Sequence, residues 1–358
     1  MNKLQKLSND FLDSNFDSAI IISPHNRRYF TDFNSSIGYL FVTKDISYLL
    51  VDFRYIESAK KNAKNCNIIL IDNLEKTLSE IIKKHNIKTT FLESDSISLT
   101  VANKLNKILE KNNVTAFLNK NLDNYISKIR MIKTPDEINK IKIAQSIAET
   151  ALNHIVNNIK PGITEKELAL DLEIYMRKLG AEKIAFDLIV VSGKNSSLPH
   201  GVPSDRTLKN RDFVTFDIGA VYDGYHSDMT RTLAIKSVSP EQKSIYDIVL
   251  KAQTKSIEAI APGVVCSKID NIARNIIYDS GYKGYFGHST GHSVGIEIHE
   301  NPVFSKNCEC VLEPGMVMTV EPGIYIPNKF GVRIEDMILV TESGFENLTT
   351  TEKDLVIL

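Results

Sequence analysis

The chain has 358 residues, more than one hydrophobic core usually organises, so two domains are expected. With 43 basic against 44 acidic side chains the formal net charge is −1, which argues against a general nucleic-acid or membrane-surface binder. No apolar run approaches a membrane span, and Met1-Asn2-Lys3-Leu4-Gln5-Lys6-Leu7 lacks the apolar core of a signal peptide. The four cysteines, Cys66, Cys266, Cys308 and Cys310, show no Cys-x-x-Cys spacing, so reduced thiols and a cytoplasmic setting are expected.

In chain order, short apolar strands alternate with helical stretches. Strands are expected at Ala19–Ile22, Tyr39–Val42, Tyr48–Val51, Ile68–Ile71 and Thr89–Leu92. Helices are expected from about Tyr55, over Leu74–His85 and over Leu99–Asn112. This alternation predicts an α/β domain over residues 1–125. Leu122–Lys133 reads as a connecting segment. Thr134-Pro135-Asp136-Glu137 then combines an N-cap, a proline at the first helical position and a capping-box glutamate, starting a helix expected to end near Asn158.

Residues 126–358 form the second expected domain, and it repeats itself. Pro161-Gly162 opens a helix through Leu168, Leu172 and Met176 to Gly180. Roughly a hundred residues on, Pro262-Gly263 opens another through Ile269, Ala273 and Ile277 to Gly281. Thr215-Phe216-Asp217-Ile218-Gly219 likewise resembles Thr319-Val320-Glu321-Pro322-Gly323. Two such halves imply an α+β domain with a pseudo-two-fold internal repeat.

Each half reads as a hairpin bearing two acids. Residues 213–219 pair back on 225–233 across Asp223-Gly224, which sets Asp217 and Asp228 on one face, opposite or diagonal. Val317–Tyr325 folds onto Val332–Val340 across Pro327-Asn328-Lys329, bringing Glu321 to Glu335. Carboxylates placed so closely repel unless a cation lies between them. Between the hairpins runs His288-Ser289-Thr290-Gly291-His292-Ser293-Val294-Gly295-Ile296-Glu297-Ile298-His299-Glu300. The glycines Gly287, Gly291 and Gly295 admit close backbone approach, so the imidazoles can converge. Asp217, Asp228, His292, Glu321 and Glu335 therefore predict a dinuclear metal site, the arrangement that activates water against a carbonyl. Its oxygen-rich donor set favours Mn²⁺, with Co²⁺, Zn²⁺ and Fe²⁺ as alternatives.

Over residues 130–350 these motifs resemble the pita-bread metallopeptidases: methionine aminopeptidase, prolidase and aminopeptidase P. The resemblance implies that Asp217 binds one metal and that His292 and Glu321 bind the other. Asp228 and Glu335 would bridge the two, and Glu321 would also shuttle protons. It further implies that His200 and His299 stabilise the tetrahedral intermediate and bind substrate, with His288 on the substrate side. Asn26–Phe33 and Val51–Tyr55 look like segments of the creatinase-type N-terminal domain that the Xaa-Pro enzymes carry and methionine aminopeptidases generally lack. The run Glu321–Tyr325 with Gly331–Asp336 is also Xaa-Pro-like and sets Tyr325 and Arg333 beside the metals as substrate-binding residues, Arg333 orienting a carboxylate or substrate, or else pairing with Asp336. The expected activity is release of an N-terminal residue ahead of proline from short peptides, by a homodimer. Competing expectations are a methionine aminopeptidase-like or creatinase-like hydrolase and a non-catalytic binding protein of the same fold.

Overall fold

The computed structural model describes residues 2–12, 16–157 and 159–358, so the helix end expected at Asn158 lies outside the described residues. The chain divides into two compact units, Met1–Ile129 and Arg130–Leu358.

The first unit is a six-stranded mixed sheet with helices. Its strands are β1 (Ser18–Ile21), β2 (Tyr39–Thr43), β3 (Ser47–Val51), β4 (Asn67–Leu70), β5 (Thr89–Leu92) and β6 (Thr115–Leu118), in the order β4-β3-β2-β1-β5-β6. Strands β1, β2 and β3 pair antiparallel, and β4, β5 and β6 add parallel. Apolar faces of α4 (Leu74–His85) and α5 (Leu99–Lys111) bury Leu78, Ile82, Leu105 and Leu109 against Ile20, Phe41, Leu50 and Leu92. Three helices were not expected from the sequence: α1 (Lys3–Asp10), α2 (Pro24–Thr31) and α6 (Asn121–Met131), the last replacing the expected connecting segment. A signal for α2 existed, since Ser23 caps it and Pro24 occupies its first turn. The expected helix near Tyr55 is α3 (Ile56–Asn62).

The second unit opens with α7 (Pro135–Val156), whose capping box closes as expected: the Thr134 N–H donates to Glu137 Oε2 at 2.8 Å, and the Glu137 N–H donates to Thr134 Oγ1 at 3.3 Å. Helix α8 (Glu165–Lys178) buries Leu168, Leu172 and Met176, and the unit continues with α9 (Pro240–Glu258) and α10 (Cys266–Ile277). Gly162 and Gly263 before these repeated helices, and Gly180 and Gly281 after them, all have positive φ. That shared backbone need explains why glycine recurs at matching places in both halves.

The first acidic hairpin is split in two. Strands β9 (Phe213–Ile218) and β12 (Met229–Ala234) pair in one sheet with β8 (Ile189–Ser192), whereas β10 (Ala220–Tyr222) and β11 (Tyr225–His226) pair in another with β7 (Lys183–Ile184). The break falls at Gly219, where a Cβ would lie 2.0 Å from the Ser227 carbonyl oxygen. The turn between β10 and β11 is Asp223-Gly224, both at positive φ.

The remaining strands are β13 (Gly291–Ser293), β14 (Glu300–Phe304), β15 (Val317–Val320), β16 (Gly323–Ile326), β17 (Phe330–Arg333), β18 (Asp336–Thr341) and β19 (Gly344–Asn347). The second hairpin is also interrupted: β15 pairs with β18, and β16 with β17. An isolated bridge between Thr230 and Glu335 joins the two hairpins. All four cysteines are free thiols, and no helix among the described residues is long and apolar enough to cross a membrane.

Candidate metal centre

The two strand interruptions fall at the acids. Thr230 is the ladder partner of Asp217, so Asp228, one residue before β12, lies diagonally across on the same face. In the second hairpin the registers on either side, Val320 to Asp336 and Gly323 to Arg333, put Glu321 opposite Glu335 in the gap. His292 on β13 completes the group: one donor atom each from Asp228, His292 and Glu335 lie within 4.8 Å of one another. His292 Nε2 is 3.5 Å from both Asp228 Oδ2 and Glu321 Oε1.

Hydrogen bonding fixes the tautomer of His292. Its Nδ1 faces the Ser293 carbonyl at 3.2 Å, which can only accept, so Nδ1 carries the proton and the Nε2 lone pair faces the carboxylates. Burial, and then His299, depress its pKa to about 4, keeping the ring neutral. Close approach holds the strand in place. At Gly291 a Cβ would lie 1.9 Å from the Thr319 carbonyl oxygen, while Thr319 Oγ1 accepts the His292 N–H at 3.0 Å. Gly287 differs from the expectation, because nothing lies near its Cβ position.

The carboxylates are short of positive charge. Burial, then Glu335, Asp217 and Glu321, push Asp228 well above the usual carboxylate range. Burial followed by Glu321 and Asp217 does the same to Glu335, and burial raises Glu321 to about 8 against the opposing pull of Arg333. Arg333 is the cation in contact with the group. It donates to Asp217 Oδ2 at 2.5 Å, to Tyr325 Oη at 2.8 Å and to Thr230 Oγ1 at 3.1 Å, and the Thr230 hydroxyl donates in turn to Glu335 Oε2 at 2.7 Å. Its alternative partner from the sequence, Asp336, is taken by Arg231 and Lys353. Asp217 Oδ1 and Glu335 Oε1 are buried with no hydrogen-bond partner among the described residues. Two unpartnered carboxylate oxygens, a neutral imidazole lone pair and an excess of buried acid are what divalent cations would satisfy, so the donor set fits the metals expected.

The group lies in a cavity of about 720 Å³ lined also by His200, His288 and His299. His200 and His299 are exposed, and the His299 ring meets His292 edge-on at 4.4 Å. His288 is more committed than the sequence suggests. Its Nδ1 donates to the Ser289 carbonyl at 2.8 Å, so Nε2 accepts from Tyr325 Oη at 2.9 Å. Burial, aided by Arg333, lowers its pKa to about 4.

Sequence reasoning missed the supports and the apolar wall. Thr230 and Thr319 orient ligands, and only the repeated Thr-x-acid pattern hinted at Thr319. Asp270 accepts from Thr290 Oγ1 at 2.9 Å and pairs with Arg274, whose guanidinium holds the carbonyls of Phe286 and His288. Phe186, Leu188, Ile189, Val202, Ile298 and Val303 give the cavity its apolar surface.

A catalytic unit of two similar halves, with an acid-rich centre where they meet, defines a metallopeptidase. The chain belongs to the metallopeptidase family M24, whose pattern matches residues 139–342, and the creatinase/prolidase N-terminal domain matches residues 3–132. The Xaa-Pro dipeptidase of Pyrococcus furiosus is 41% identical over 355 residues, covering 99% of each chain. The solved structure of Xaa-Pro dipeptidase from Bacillus anthracis superposes with a TM-score of 0.93 at 40% identity over 99% of both chains. X-Pro aminopeptidase from Thermotoga maritima gives 0.89 at 35% identity, covering 96% of this chain and 98% of that one.

Proposed function

We propose that the chain is a dinuclear-metal peptidase that cleaves the bond between an N-terminal residue and a following proline. The observation that supports this reading is the cluster of Asp228, His292 and Glu335, with Asp217 and Glu321 lining the same cavity, two unpartnered buried carboxylate oxygens and a neutral Nε2. Asp217 would hold one ion, His292 and Glu321 the other, and Asp228 and Glu335 both. The hard, oxygen-rich donors favour Mn²⁺ over Co²⁺, Zn²⁺ or Fe²⁺. When bound, the ions supply Lewis acidity and activation of water at neutral pH.

The chain's own residues do the rest. Glu321 accepts at its carboxylate the proton that the attacking water gives up and returns it to the leaving nitrogen as the C–N bond breaks. His200 and His299, exposed on the cavity wall, donate to the substrate carbonyl oxygen as negative charge develops there. Arg333 and Tyr325 fix Asp217 and His288 and so hold the floor of the cavity. Proline has no N–H, so a site relying on a hydrogen bond from the scissile amide gains nothing from it. An apolar wall of Ile189, Ile298 and Val303 favours its ring instead.

Ala-Pro and Ala-Pro-Ala, assayed with and without Mn²⁺ beside Ala-Ala, test the reading. Proline substrates should react at least ~10-fold faster than their alanine counterparts, a discrimination of pocket fit. Faster release of methionine from Met-Ala-Ser than from Met-Pro substrates would overturn the proline assignment. Activity on Ala-Pro alone would make the protein a dipeptidase, and activity on both an aminopeptidase. A homodimer in a reducing, cytoplasmic setting belongs to the same proposal, supported by the free thiols and by the lack of any proposed ligand in the first unit. A monomeric mass by light scattering with full activity would remove the dimer.

A further inference from the structure

The histidine-rich run ends in Glu300, which neither holds a metal nor faces substrate in the reading above. Its carboxylate is only 5% exposed and is met by two cations. Arg130 Nη2 donates to Oε1 at 2.5 Å, and Lys133 Nζ to Oε2 at 3.2 Å. The Glu297 N–H adds a bond to Oε1 at 3.1 Å, and Arg130 Nη1 reaches Glu297 Oε2 at 2.7 Å. Lys133, 2% exposed, also donates to Ser293 Oγ at 2.7 Å. One buried ammonium therefore ties Ser293, the neighbour of His292, to Glu300, the neighbour of His299.

The loop between those histidines is gripped elsewhere too. The Gly295 carbonyl accepts the His226 N–H at 2.8 Å, and a Cβ at Gly295 would lie 2.6 Å from both Glu300 oxygens. The loop thus closes directly over the carboxylate. Burying charge here is a costly way to gain stability, since apolar side chains of similar volume often serve as well or better. What a buried, directional ion cluster supplies in addition is a single geometry.

We propose that Lys133 and Glu300, backed by Arg130, are positioning residues that set the His299 imidazole against His292 and the cavity. The proposal rests on the peptidase reading for its consequence in turnover, but the geometry it describes belongs to the chain without metal. Lys133→Met is the informative variant because Arg130 still neutralises Glu300. Two measurements are needed: kcat and KM on Ala-Pro with Mn²⁺, and the imidazole NMR signals of metal-free protein, with His299 assigned through His299→Gln.

Lys133→Met should lower kcat by about 10- to 100-fold, the scale for a displaced reacting group, with KM within about twofold. The signals of His292 and His299 should shift or broaden, those of His25, His85 and His154 should stay in place, and Lys133→Arg should recover most of kcat. A folded Lys133→Met protein with wild-type kcat and an unmoved His299 signal overturns the proposal, whatever its melting temperature. If Lys133→Met does not fold, Glu300→Gln, which keeps the volume, carries the same two readouts. If the wild type fails to cleave Ala-Pro, the peptidase reading falls, and the metal-free spectra still decide the positioning role.

Discussion

Two groups of buried carboxylates in the second unit face opposite electrostatic fates. Burial penalises Glu300, yet Lys133 and then Arg130 bring its pKa down to about 2. Burial also penalises Asp228, Glu321 and Glu335; neighbouring acids add to it at Asp228 and Glu335, and at Glu321 burial prevails over the pull of Arg333, so all three are pushed up. The chain is able to supply cations to a buried glutamate and has done so at Glu300, outside the proposed ligand set. At the centre of the cavity the described residues supply one guanidinium, that of Arg333, for four acids, which leaves the remaining countercharge to come from solution.

The comparison is broken most severely by removing an acid from the centre. Asp228→Asn or Glu335→Ala should nearly abolish hydrolysis and lower bound metal by elemental analysis, and chelation should do the same to the wild type. Either variant retaining most activity with its metal content intact would end the assignment of these acids as ligands. A smaller effect is expected at the exposed imidazoles. His200→Ala or His299→Ala should reduce turnover about 10²-fold, as for loss of an oxyanion donor, with metal retained. His292→Ala should lose metal, and the reverse pattern between His292 and His299 would show that the wrong ring was chosen.

The smallest effect sharpens the other side of the contrast. The folded-state pKa of Glu300 is depressed, from 4.5 to about 2, so its ionised form contributes stability that is complete above about pH 4.5 and lost as the pH falls towards 2. The stability difference between wild type and Glu300→Gln, measured by urea unfolding, should therefore be largest above pH 4.5 and shrink through that window. A difference that is constant with pH would mean that the charge of Glu300 is not what its cations recognise.

Much of this was legible in the sequence because hairpins and caps use local signals. Alternating β-branched residues around Asp223-Gly224 gave the first hairpin, and Thr134-Pro135 gave the start of α7. The break in the first hairpin was hidden, since residues 225–233 alternate evenly and the close approach of the Ser227 carbonyl, which leaves no room for a Cβ at Gly219, is a contact between strands. Helix α6 was hidden for a related reason, because Leu122–Lys133 lacks a strong start signal. Lysine reads as a solvated residue by default, so nothing near Lys133 announced a partner beyond position 290. For Arg333 the only partner that the sequence suggests is the nearby Asp336, and its pairing with Asp217, 116 positions away, has no local signal.

The bridge between Thr230 and Glu335 also bears on the order in which the molecule forms. These residues are 105 positions apart, and the proposed ligands are drawn from both halves of the repeat. Contacts of such long sequence separation are the slow ones to close. Neither half alone gathers the full donor set, so stoichiometric metal uptake should lag behind the appearance of helix and strand during refolding. A colorimetric metal indicator would then time the moment at which the two halves meet.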